Sequence, residues 1–141
     1  MPTLPSVDTA GLLTVPTTAL SATVVGGRLR RYRSRINLAS QPTTDDVLLA
    51  RVPAGSTFAY GVLTTDTSLG SSTIAVGPLG ATGKYRAAAV FTATNTPTMF
   101  GVVTNATATT LTADEDVLMT IAAAALPASG ILVVDLYFSA P

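Results

Sequence analysis

Apolar and polar positions alternate in short runs along most of this chain, and Gly, Pro and Asn cut the runs at intervals of roughly 8–14 residues. Arg28 to Leu38 is the clearest run. Ile36 and Leu38 fall on one parity and Arg31, Arg33 and Arg35 on the other. A strand with that pattern buries one face and offers the other to water or a partner. Asp46 to Val52 follows a turn at Gln41-Pro42-Thr43-Thr44, and Pro53-Ala54-Gly55 is the next turn. Thr57 to Leu63 is aromatic and β-branched, and Ser72 to Val76 is a short strand after the loop Asp66 to Gly70. Gly77 to Gly83 is a long turn. Lys84 to Thr92 and Thr98 to Val103 flank Asn95-Thr96-Pro97, and Val117 to Ala123 and Ile131 to Phe138 flank Pro127-Ala128-Ser129-Gly130.

Evenly spaced short strands with turn punctuation predict an all-β fold, an antiparallel β-sandwich of jelly-roll type. Two segments resist the pattern. Ala87-Ala88-Ala89 favours helix. Thr112-Ala113-Asp114-Glu115 matches a capping box ahead of an Ala-rich run to Ala125, so a helix over 113–125 stands as the alternative to the favoured strand.

Residues 1–27 read differently. Pro2, Pro5 and Pro16 oppose regular pairing, while Leu4, Leu12, Leu13, Val15 and Leu20 are too apolar for a solvated tail. The expectation is an extended N-terminal arm over 1–27, packed on a neighbouring subunit or on its own domain, ahead of one β-sandwich domain over 28–141. A chain of 141 residues is long enough for one such core.

Composition narrows the function. The chain has no His and no Cys, so disulfides, thiolate metal sites and a Ser-His-Asp triad are excluded. With its acids scattered, it is a poor candidate for an enzyme and no cofactor is expected. A Ser–Lys pair using Lys84 has no marked partner. The glycine-rich run Gly77 to Gly83 lacks the spacing of a phosphate or dinucleotide loop, and Asn105-Ala106-Thr107 is a sequon without a secretory signal. Neither Asp45-Asp46 nor Asp114-Glu115-Asp116 has calcium-loop spacing. The longest apolar runs fall far short of the ~20 residues of a spanning helix, so no membrane is expected.

Hydrophobic residues make up 48% of the chain and charged ones 11%, against about 25% charged in ordinary soluble proteins. That deficit implies surface covered by an assembly, most simply a homo-oligomer. The charges are also segregated. Residues 1–40 hold five cations, Arg28, Arg30, Arg31, Arg33 and Arg35, against Asp8; residues 41–141 hold three cations against seven acids. The arginines read as a protein-docking ridge, with Asp45-Asp46 and Asp114-Glu115-Asp116 as natural partners across a subunit boundary, and a charge-guarded edge or internal ion pairs as alternatives. Net neutrality and the single interleaved Tyr32 speak against nucleic acid. Arg28, Arg30, Arg31, Arg33 and Arg35, with Leu4, Leu12 and Leu13 of the arm, are the candidate interaction residues.

Ala50-Arg-Val-Pro-Ala-Gly55, the stretch from Val62 to Gly77, Lys84 to Phe91, and Ala125 to Phe138 together resemble small virion proteins of tailed bacteriophages. The resemblance spans roughly residues 28–138, rests on sheet and turn patterns, and carries over no site residue. It implies a β-rich structural subunit, a head decoration (cement) protein, often trimeric. Its partners would be the major capsid protein or other virion subunits, on the capsid surface of a particle made in the bacterial cytoplasm. A tail, neck or fibre component is the alternative within the virion. A carbohydrate-binding jelly roll is the alternative of another class, though it would want exposed aromatics in a groove and the chain has no Trp.

Overall fold

The structure, a computed structural model, describes residues 25–140 and the isolated positions Ser6, Ala10, Thr14, Pro16, Thr17, Ala19 and Leu20. Most of the arm expected over 1–27, Leu4, Leu12 and Leu13 included, lies outside the described residues. The elements run β1 (Arg28–Asn37), β2 (Asp46–Val52), β3 (Thr57–Thr65), β4 (Thr73–Gly77), β5 (Arg86–Val90), β6 (Thr98–Phe100), α1 (Asn105–Ala108), β7 (Glu115–Ala122) and β8 (Ile131–Ala140).

The strands form two four-stranded sheets, ordered β1-β8-β3-β6 and β2-β7-β4-β5, with every neighbouring pair antiparallel. Pairing β1 with β8, β2 with β7, β3 with β6 and β4 with β5 folds the chain as one long ribbon. Wrapping that ribbon brings β8 onto β3 and β7 onto β4. This is the eight-stranded jelly roll the turn spacing predicts.

Alternation builds the core. β8 sends Leu132, Val134, Leu136 and Phe138 inward, and β7 sends Val117, Met119 and Ile121 to meet them. Four aromatic rings fix one end. Phe138 lies edge-on to Tyr32, Phe58 and Tyr85 at centroid distances of 5.9, 5.4 and 5.6 Å, and Phe58 lies 4.4 Å from Tyr85. Aromatic pairs prefer such edge contacts. At the other edge Ser34 donates its hydroxyl proton to the Leu49 carbonyl and ties β1 to β2.

The two ambiguous segments are strands. Val117, Met119 and Ile121 alternate with Leu118, Thr120 and Ala122, and burying a period-2 face outweighs the helical propensity of alanine. The capping-box residue Glu115 binds Lys84 and Tyr85 instead. The alanine run lies within β5, held to β4 with a bulge between Ile74 and Val76. The expected Thr98 to Val103 strand stops at Phe100. Beyond it, Thr104 caps the single turn of α1: its hydroxyl accepts from the Thr107 N–H and the Thr107 hydroxyl accepts from the Thr104 N–H.

Candidate interaction surface

β1 is an edge strand of its sheet, and its register to β8 fixes where each arginine stands. Arg31, Arg33 and Arg35 project from the outer face, opposite Tyr137, Asp135 and Val133. Tyr32, Ser34 and Ile36 point toward the second sheet and become more buried along the strand. Arg28 and Arg30 share their parity but lie exposed at the strand's start. The sequence expectation that Arg31, Arg33 and Arg35 share a face opposite Ile36 and Leu38 therefore describes β1 well.

The outer face continues across the sheet in rows. Arg31 leads to Tyr137 and Tyr60, whose rings stack at 4.5 Å and 18°. Arg33 leads to Asp135, Val62 and the exposed Met99. Arg35 leads to Val133 and Thr64. The face thus grades from cationic at β1 to uncharged and apolar at β6.

The five arginines are not equivalent. Arg33 makes a two-point contact with Asp135, Nε to Oδ1 and Nη2 to Oδ2, both 2.8 Å. That hydrogen bonding and the adjacent negative charge raise its pKa further above its already high ordinary value. Arg33 therefore serves within the subunit. Among the described residues, Arg28, Arg30, Arg31 and Arg35 form no ion pair, and they constitute the free ridge.

Most of the acids are occupied at home. Asp116 pairs with Arg51 through Oδ1 at 2.6 Å and Oδ2 at 2.9 Å, which holds its carboxyl below the usual range. Glu115 accepts from Lys84 Nζ at 2.6 Å and from the Tyr85 hydroxyl. Burial and that carboxylate push the Tyr85 hydroxyl far above its ordinary pKa, so it remains a donor. Asp114 accepts from the Ala54 N–H at 2.9 Å, and Asp66 from the Ile131 N–H at 2.8 Å. Asp45 and Asp46 stay exposed, Asp45 taking a long contact from the Thr44 hydroxyl. The sequence paired the acidic clusters with the β1 arginines across a subunit boundary. For Asp116 and Glu115 that reading is corrected: their cations are Arg51 and Lys84 of the same chain.

Two shallow clefts also lie among the described residues. One, of about 250 Å³, is apolar and lies between the β3 bulge at Phe58 and Ala59 and the segment carrying Val102, Val103 and Thr107. The other, of about 270 Å³, is lined by Thr109, Thr110, Asp114 and the Lys84–Glu115 pair. Among the described residues no cluster of acids is placed to hold a metal, and no helix is long and apolar enough to cross a membrane. Sequence reasoning missed the Tyr60–Tyr137 stack and the role of Asp135. The signal for Asp135 was present: a lone acid on an apolar strand requires a cation opposite it.

No protein-family model and no curated protein matches the chain. Solved structures do. A chain from the cyanophage Pam1 capsid asymmetric unit aligns over 100% of both chains with a TM-score of 0.68 and 19% identity. A chain from the acidic stable capsid of Helicobacter pylori bacteriophage KHP30 aligns over 80% of this chain and 88% of its own, with a TM-score of 0.60 and 11% identity. One from the capsid of Ralstonia phage GP4 aligns over 88% and 90%, with a TM-score of 0.59 and 15% identity. At these identities the likeness establishes a shared fold.

Proposed function

We propose that this chain is a structural virion protein that binds the assembled shell of a bacteriophage and stabilises it, as a decoration or cement protein. The observation that carries this reading is the alignment, over the whole of both chains, to a chain of the cyanophage capsid asymmetric unit. The low charge of the chain and its free arginine ridge support it. A ligand that binds only the assembled shell stabilises that shell by mass action. A homo-oligomer, a trimer by preference, multiplies weak contacts.

Arg28, Arg30, Arg31 and Arg35 are the residues that meet acidic groups of the major capsid protein or another virion subunit. Arg33 drops out of that set because Asp135 holds it. The arm supplies apolar anchors at Leu4, Leu12 and Leu13. The protein's place is the capsid surface, after synthesis in the host cytoplasm, with no nucleic-acid, membrane or catalytic role assigned.

The test is to add purified protein to shells that lack it. The expected outcome is saturable binding, density on the outer shell by electron microscopy, and a higher temperature of shell opening. Density confined to a tail, neck or fibre, or no binding, overturns the reading. Arg31→Ala with Arg35→Ala should weaken shell binding and flatten its salt dependence, while the melting of the free protein stays nearly unchanged.

One observation favours a second reading. The Tyr60–Tyr137 stack lies on an open sheet face, where a carbohydrate-binding jelly roll would place its platform. The two rings cover each other, which leaves less aromatic surface for a sugar. Glycan binding that is lost in Tyr60→Ala, from a protein that does not bind shells, would select that reading.

A further inference from the structure

The residues from 87 to 113 carry no charge at all, and most of them are exposed. They run from Ala87 in β5 through β6 and α1 into the approach to β7. β1 and β2 stack at one edge of the sandwich, and the strand orders make β6 and β5 the far edge strands of their sheets. The far edge is poorly closed. β6 is three residues long, and Ala87, Ala88, Ala89 and Val90 are exposed on both faces of β5. Val90 is 52% exposed, Met99 67% and Val103 92%. Val103 stands at the mouth of the apolar cleft beside Phe58 and Ala59. Large exposed apolar patches mark interaction sites.

Charge chooses the occupant. A neutral edge can face its own copy without bringing like charges together, whereas two copies of the arginine ridge would repel. Natural edge strands are guarded against pairing with their own kind by lysine or by charges on the edge, and from Ala87 to Val90 β5 has neither guard. Arg86, at its start, turns its guanidinium inward to the carbonyls of Ile74, Ala89 and Val90. Burial there lowers its pKa from the ordinary arginine value, in keeping with a cation withdrawn from the surface.

We infer that the β5–β6–α1 edge is the contact between copies of this chain, with Val90, Met99 and Val103 as its apolar anchors. The inference rests on the homo-oligomeric part of the proposed function and not on shell binding. It assigns the two edges different duties: the neutral one holds copies together and leaves the arginine edge free.

The test uses Met99→Glu with Val103→Glu, both at exposed positions. Sedimentation velocity should show an oligomer for the wild-type chain. It should show a monomer for the variant, with self-affinity lowered about thirtyfold or more, the effect of losing central anchors. The melting temperature should hold. Leu48→Glu, exposed on the other sheet, should leave the oligomer unchanged. As a check against misfolding, the Glu variant is mixed with Met99→Lys and Val103→Lys. Each should be monomeric alone, and the mixture should associate. A monomeric wild-type chain, an unaltered oligomer in the Glu variant, or no association in the mixture overturns the inference. So does a variant that keeps its oligomer and loses shell binding, which would give this edge to the shell. Shells scored separately with the Leu48→Glu control report on the proposed function alone.

Discussion

Arg33 and Asp135 face each other across the β1–β8 register, and their two-point contact spans a steep gradient of burial. The Asp135 side chain is 7% exposed and that of Arg33 53%. The two ends of the pair therefore do not carry equal consequences. Removing the arginine leaves a buried carboxylate without a cation, which is strongly unfavourable. Removing the carboxylate leaves a guanidinium that water can reach. Arg33→Met should lower the melting temperature more than Asp135→Asn does. The double variant Arg33→Met with Asp135→Leu should melt above the Arg33→Met single variant, because no charge is then stranded. Thermal melts of the three proteins at neutral pH decide it, and equal losses in both single variants would contradict the asymmetry.

Gly61 and Phe100 pair across β3 and β6, and the Phe100 ring occupies the space a side chain would take. A Cβ built on Gly61 would lie 2.1 Å from Phe100 Cζ. Gly61→Ala must push the ring outward and loosen the short β6 strand. The expected destabilisation is about 1–3 kcal/mol, in the range of overpacking. Phe100→Ala costs stability by itself, but it should make Gly61→Ala nearly harmless. Urea unfolding of the double-mutant cycle measures that coupling, and simple additivity would rule out the steric account.

The strands were legible in the sequence because each buries one face. Asp46 to Val52 has the same limits in sequence and structure, and β1, β3, β4 and β8 differ by a residue or two. What escaped was fixed by contacts between distant residues. Nothing local in Lys84 to Thr92 reveals that Arg86 fills a bulge against β4, or that Glu115 spends its capping potential on Lys84 and Tyr85. The arginine face was readable from parity alone. The withdrawal of Arg33 from it was not, because that needs the register that sets Asp135 opposite, 102 positions along the chain. The neutral edge was visible only as low overall charge, since the sequence does not say that β5 and β6 are both edge strands, on the side away from β1 and β2.

Thr120 and Ser56 each bury a side-chain oxygen that has no hydrogen-bond partner. A buried hydroxyl in that state costs about 1–3 kcal/mol relative to one that is satisfied. Valine has nearly the shape of threonine without the hydroxyl. Thr120→Val should therefore raise stability, by about 1 kcal/mol after some loss of fit. Ser56→Ala should be neutral or mildly stabilising. Chemical denaturation with an unchanged slope checks both, and a clear loss in Thr120→Val would mean that the hydroxyl has a partner in solution.

Acid should remove a stabilising contribution from two carboxylates in particular. The Ile131 N–H, followed by the Thr67 hydroxyl, holds the Asp66 carboxyl below its ordinary pKa, and hydrogen bonds from Arg51 do the same for Asp116. Both folded-state values lie below the unfolded ones, so the unfolded chain takes up protons first as pH falls. The stability these groups contribute is present above the unfolded value, about pH 4, and is lost as pH drops through the lower folded values. Asp66 sits at a tight point of the fold: its Oδ1 and the Thr67 hydroxyl crowd the space beside Gly130, whose φ of 120° lets the chain turn into β8. Asp66→Asn keeps a carbonyl oxygen for the Ile131 N–H and removes the titration. Its melting temperature should be lower than wild type at neutral pH, because an amide is a weaker acceptor than a carboxylate. The gap should close as the solution becomes acidic and the wild-type carboxyl protonates. Melting curves taken from neutral to strongly acid pH test this, and a gap that stays constant with pH would show that Asp66 is not among the groups whose protonation weakens the fold.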